Sequence, residues 1–113
     1  MRSNQQPVYL KLRDLIANAI VDGSYPEGAM LPSVRAFAAE QGANPLTVAK
    51  AYQLFQLDGL VEVQRGVGMF VARGAAERLR QSERATFLAD EWPVIAKRIA
   101  RLGIQPNELL ATS

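Results

Sequence analysis

Near the middle of this chain a helix stop and a helix start lie one residue apart, an arrangement that few folds accommodate. Gly42 can adopt the left-handed conformation that closes a helix, and Asn44-Pro45 sets an N-cap residue before proline at the first helical position. Only Ala43 separates them, the spacing of two helices joined by a tight turn. The earlier helix opens at Leu31-Pro32-Ser33-Val34-Arg35, where Ser33 caps the first amides and Val34, Phe37 and Ala38 form the inner face. The later one carries Val48, Ala51, Tyr52 and Phe55 on its inner stripe and ends near Asp58-Gly59.

Another amphipathic helix comes before these two. Pro7 suits its first position, and Val8, Leu12, Leu15, Ile16, Ala19 and Ile20 recur at helical spacing until Asp22-Gly23 closes it. Tyr25-Pro26-Glu27-Gly28 continues as a turn. After the third helix, Leu60-Val61-Glu62-Val63 and Met69-Phe70-Val71-Ala72 flank Gln64-Arg65-Gly66-Val67-Gly68, two strand-like runs around a glycine-bearing turn. Three helices followed by a hairpin predict a winged helix-turn-helix, mainly α with a small β-hairpin.

From Gly74 onward Ala, Arg, Glu, Leu and Gln dominate, with no turn signal before Pro93 and Gly103. Leu88, Trp92, Ile95, Ile99 and Leu102 follow a four-three-four-three spacing, the period of a helix that packs against another helix. Pro93 interrupts the run, so the helix either bends there or a new one begins with Pro93 in its first turn. Ile104 and Leu109-Leu110, around Pro106-Asn107, predict one short terminal helix. A single helix from Ala75 to Leu102 would run about 40 Å at 1.5 Å per residue, too long to bury its stripe without a partner. The stripe is therefore read as a homodimer contact, with Leu54 and Leu57 able to receive part of it. A chain ended near Ala72 is expected to fold as a monomer.

Composition narrows the function classes. Cysteine and histidine are absent, which removes disulfides, thiolate nucleophiles, imidazole bases and the usual zinc ligands. The carboxylates Asp14, Glu27, Glu40, Asp58 and Glu62 are scattered, and no pair shares a convincing face. An enzyme is thus not expected, nor a metal or cofactor. The net charge of +2 carries no information about partners, because basic and acidic residues are balanced on both sides of Arg73. The polar segment Met1 to Pro7 lacks an apolar core, and no run approaches the length of a membrane span, so a cytoplasmic protein without membrane contact is expected.

The sequence also resembles a family. Pro-Val-Tyr-Leu-Lys-Leu-Arg at Pro7 to Arg13, Leu-Pro-Ser-Val-Arg at Leu31 to Arg35, Asn-Pro-Leu-Thr-Val at Asn44 to Val48, Asp-Gly-Leu at Asp58 to Leu60, and Arg-Gly-Val-Gly-Met-Phe-Val at Arg65 to Val71 are similar, in order, to the DNA-binding domain of GntR-type bacterial regulators. Larger members carry an effector-binding or aminotransferase-like domain after the wing. The short remainder here is similar to the YtrA-like subfamily, whose tail is a helical dimerisation element. The resemblance implies residues 1–73 as the DNA-binding domain and residues 74–113 as the dimerisation tail. It also implies a homodimeric regulator, a repressor of its operator in double-stranded DNA.

Physical chemistry points to particular DNA-binding residues. The first turns of the later helix would enter the major groove, and Leu46, Thr47 and Lys50 lie on their outer face. Lys50 can reach guanine acceptors or a phosphate, Thr47 a phosphate or a thymine methyl, and Leu46 offers apolar contact only. Leu46 stands where many members of the family carry a polar residue. A solvated helix face is the plain alternative for Thr47 and Lys50, and an N-cap for Asn44, which otherwise contacts a base or phosphate. Arg35 adds a guanidinium to a helix N-terminus that already favours phosphate, and in the resembling family the matching arginine contacts DNA. A surface ion pair with Glu40 or Asp58 is its alternative. Arg65 and Gly66 at the wing tip suit the minor groove, unless the turn is only a turn. Two other functions stay open: a winged helix used for protein binding, and a dimer tail that holds a small effector.

Overall fold

A computed structural model describes residues 6–111, so the polar stretch before Gln6 lies outside the described residues. The elements are α1 (Val8–Val21), α2 (Val34–Gln41), α3 (Pro45–Leu57), β1 (Val61–Gln64), β2 (Gly68–Val71), α4 (Ala75–Thr86), a π turn (Phe87–Glu91), α5 (Trp92–Leu102) and α6 (Pro106–Leu110). They fall into two compact units, one running to Leu79 and the other starting at Arg80. Among the described residues no helix is long and apolar enough to cross a membrane.

In the first unit α3 packs against both α1 and α2. Its buried stripe is the predicted one, Val48, Ala51, Tyr52 and Phe55. In α2 Phe37 and Ala38 are buried, while Val34 packs half-buried at the edge. The caps are also as predicted: the Ser33 hydroxyl accepts from the Ala36 amide at 3.1 Å, and Gly42 closes the helix with φ of 64°.

Helix α1 departs from its predicted face. Leu12, Ile16 and Ile20 are buried, but Ala17 joins them in place of Ala19, and Val8 and Leu15 are exposed. The buried arc is rotated because Arg13 belongs to it. Its guanidinium lies 5.3 Å from the centroid of the Phe55 ring and 3.7 Å from the Asp58 carboxylate. A long cationic side chain can cover apolar surface with its stem and keep its charge at the edge, which a count of apolar residues misses.

A hydrogen bond ties α3 to the segment that leads into α2. The Tyr52 hydroxyl donates to the Pro32 carbonyl at 2.7 Å, and burial pushes the phenol well above its ordinary pKa, with Tyr25 and Glu40 adding to the effect. It remains a neutral donor. Removing the hydroxyl leaves that carbonyl short of a partner, so Tyr52→Phe is expected to cost about 1 kcal/mol in urea unfolding.

The hairpin pairs Val61 with Val71 and Gln64 with Gly68, leaving Arg65-Gly66-Val67 as the turn. The Val67 amide donates to the Gln64 carbonyl at 2.9 Å, and Gly66 takes φ of 75°, as the third residue of a type II turn requires. A third segment, just past the turn predicted at Tyr25 to Gly28, extends this sheet. Met30 bridges Phe70, the Leu31 amide donates to the Met69 carbonyl at 2.8 Å, and the Val71 amide donates to Ala29 at 2.9 Å.

The start of α4 belongs to the first unit. Ala75 and Leu79 are buried in the same core, so this packed unit extends past residue 73. Arg78 donates to the carbonyls of Asp58 at 2.7 Å and Gly59 at 3.3 Å, a cation at the negative end of α3. The Glu27 carboxylate accepts from the Gly74 amide at 2.7 Å. A cut near Ala72 would remove two core residues and these ties, so it would not isolate an intact first unit, contrary to the expectation from sequence.

In the second unit the helical backbone continues through Pro93. Thr86, Glu91 and Trp92 all keep right-handed helical angles, and the Trp92 amide donates to the Phe87 carbonyl across a wide turn. In α geometry the proline ring would meet the carbonyl four residues back, and the wider turn relieves that clash. It also sets Phe87 beside Trp92, with ring centroids 6.3 Å apart. Phe87, Leu88, Trp92, Ile95 and Leu102 are exposed and Ile99 is half-buried, while α6 begins with a capping box of Gln105 and Glu108.

Candidate nucleic-acid interface

The sequence-predicted positions occupy three neighbouring elements. Arg35 is exposed in the first turn of α2, just after the capping Ser33. Among the described residues it forms no ion pair; Asp58 is paired with Arg13 instead. Asn44 is an N-cap, its side-chain oxygen accepting from the Leu46 amide at 2.8 Å. That oxygen is committed to the helix. Leu46 is 80% exposed, Lys50 is exposed, and Thr47 is half-buried at the flank of the outer face. Arg65 and Gly66 are exposed at the tip of the hairpin.

Two adjoining concavities connect these elements. One, of about 560 Å³, is lined by Leu46, Ala49, Lys50, Gln53 and Gln56 of α3 together with Val34 and Met69. The other, of about 440 Å³, lies between the start of α2 and the wing, with Ser33, Val34, Gly66, Gly68 and Met69 on its walls. Val34, Tyr52 and Met69 belong to both. The N-terminus of α2, the outer face of α3 and the wing therefore form one continuous surface. Gly68 packs closely here: a Cβ would lie 2.7 Å from the Met30 sulfur, so that flexible side chain would have to shift to admit one.

The surface also holds residues that periodicity and motif alone did not single out. Ala49 and Gln53 follow Leu46 by three and seven positions, so helical spacing places them on the same face. Tyr9 could not be found that way, because it comes from α1. Its ring lies 4.1 Å beneath the Lys50 ammonium, a cation–π contact that holds Lys50 toward the α1 flank of α3. In electrostatic terms the surface offers the amide end of α2 and the cations Arg35, Lys50 and Arg65, a pattern suited to a polyanion.

Comparison with known proteins agrees with this geometry. Residues 8–71 match the gntR family of bacterial regulatory proteins. The chain is 32% identical over 107 residues to YhcF of Bacillus subtilis, an uncharacterised HTH-type transcriptional regulator, covering 95% of this chain and 87% of YhcF. It is 34% identical over 73 residues to the HTH-type transcriptional repressor YtrA of the same organism, covering 65% of this chain and 56% of YtrA. Among solved structures, the DNA-binding domain of AraR in complex with operator ORR3 superposes with a TM-score of 0.58 at 25% identity, covering 60% of this chain and 82% of that domain. The match of helices, wing and spacing, extended by YhcF through the tail, leads to one conclusion: the chain belongs to the GntR family of bacterial regulatory proteins, among its YtrA-like members.

Proposed function

We propose that this chain is a cytoplasmic transcription repressor that binds a palindromic operator in double-stranded DNA as a homodimer, residues 1–73 reading the DNA and residues 74–113 supplying the dimer contact. The observation that carries the reading is the continuous surface formed by the start of α2, the outer face of α3 and the wing, with Lys50 in its lining and Arg35 and Arg65 exposed on the elements that form it. The AraR domain of the same fold is bound to an operator, and the YtrA relative is a repressor. Arg35 would contact phosphate together with the α2 amides. Thr47 and Asn44, at the start of α3, would meet the phosphate backbone at the edge of the groove, and Leu46 would face the bases. Arg65 and Gly66 would follow the minor groove. Because the Tyr9 ring holds Lys50 at the flank, Lys50 is assigned to phosphate rather than to guanine.

Anisotropy titrations over a range of salt on a duplex selected from random DNA test this. Arg35→Ala and Lys50→Ala are each expected to weaken binding on every sequence and to lower the salt slope by about 0.9 for each phosphate that is no longer neutralised. Relaxed sequence preference in Lys50→Ala would return Lys50 to base reading. A selection that enriches no sequence would remove the operator reading altogether.

A further inference from the structure

We propose that the outer face of α3 reads an A·T step in each half-site, with Leu46 and Ala49 against a thymine methyl and the Gln53 carboxamide on a neighbouring adenine. This rests on the operator-binding reading above and names the bases that reading leaves open. Leu46, Ala49 and Gln53 are spaced by three and four residues, so they rise along one line of the helix, and all three line the same concavity of about 560 Å³.

A single exposed leucine is ordinary on a protein surface. Leu46 differs by its setting. It stands 80% exposed in the first turn of the helix whose outer face meets the DNA, and the short side chain of Ala49 leaves space beside it. An apolar group placed there gains only if it meets an apolar group on the base edges, and the thymine C5-methyl is the one such group in the major groove. Gln53 supplies a donor and an acceptor on one planar amide. Adenine presents the matching pair, an N7 acceptor and an N6 donor.

The cations support the same assignment by their placement. Guanine is read chiefly by arginine or lysine, yet α3 contains no arginine, and its lone cation, Lys50, has its ammonium over the Tyr9 ring. Leu46, Ala49 and Gln53 are themselves uncharged, and Lys50, which lines the same concavity, is held at the flank by Tyr9, so a guanine on that line finds no cation for its acceptor pair.

The test uses the full chain and a duplex that it has enriched from random DNA. Thymines are replaced one at a time by deoxyuridine, which keeps the pairing edge and loses only the methyl. Adenines are replaced by 7-deazaadenine, which loses N7. A single deoxyuridine is expected to weaken binding about fourfold, the worth of one buried methyl, and the effect should vanish in Leu46→Ala. One 7-deazaadenine is expected to weaken binding about tenfold in the native chain and to change nothing in Gln53→Ala. Both side chains are exposed, so neither substitution threatens the fold. An enriched site indifferent to both replacements, or one whose sensitivity persists in the variants, overturns the A·T assignment while leaving operator binding intact. Failure to enrich any sequence overturns the operator reading itself.

Discussion

Phe55→Ala is expected to destabilise the first unit by roughly 3–5 kcal/mol, enough to remove much of the stability of a small domain. Phe55 is fully enclosed, at 0% exposure, in the helix that contacts both α1 and α2. Its loss opens a cavity in the middle of that packed core, which the surrounding side chains fill only in part. Arg13 loses more than packing, since the ring beneath its guanidinium disappears while the Asp58 carboxylate stays. Thermal and urea unfolding measure the effect, with Leu57→Ala as the control. Leu57 lies two positions along the same helix but is 75% exposed, so its truncation should stay within about 0.5 kcal/mol. A loss below about 1 kcal/mol in Phe55→Ala would mean that the core is not organised around this ring.

The second large effect concerns association. Trp92→Glu combined with Ile99→Glu is expected to convert a dimer into monomers and to lower affinity for a palindromic operator by roughly 10²- to 10⁴-fold, because the second half-site contact ceases to be intramolecular. Trp92, Ile95, Ile99 and Leu102 share one face of α5, and Phe87 lies beside Trp92 at the end of the π turn. Each would return roughly 1.5–3 kcal/mol if fully buried, more in sum than association costs. Affinity for a single half-site should be unchanged. Sedimentation of the full chain and its double variant, paired with titrations on both duplexes, decides the matter. A native full-length monomer that binds half a palindrome as tightly as the whole would end the dimer proposal.

What can be read from the sequence depends on whether a residue's role is local. The stripe of α3 and the caps at Ser33, Gly42 and Asn44 follow from spacing and from side-chain chemistry within a few residues, and the structure matches them. The face of α1 escapes such a reading because Arg13 acts as a packing residue, a fact visible only once Phe55 and Asp58 are beside it. The segment 29–31 pairs with the wing through backbone hydrogen bonds, and no side-chain pattern reveals such pairing. Ala75 and Leu79 continue a run of helix formers without a break, so only tertiary packing separates them from the tail. In the interface, Leu46 and Lys50 are legible from periodicity. The partnership of Lys50 with Tyr9 joins two helices and is not.

The wide turn at Phe87–Glu91 has a meaning in the language of genes. A π turn is an α-helical turn that holds one residue too many, so it is the shape a helix takes when a codon is inserted and its neighbours refuse to rotate. Without that widening, an added residue would swing everything beyond it by roughly 100° about the axis and scatter an apolar face. Here Phe87 and Trp92 still meet, although they are five positions apart. One residue beyond the α-helical count is thus already absorbed in this stretch, and the aromatic pair on either side of it stays together.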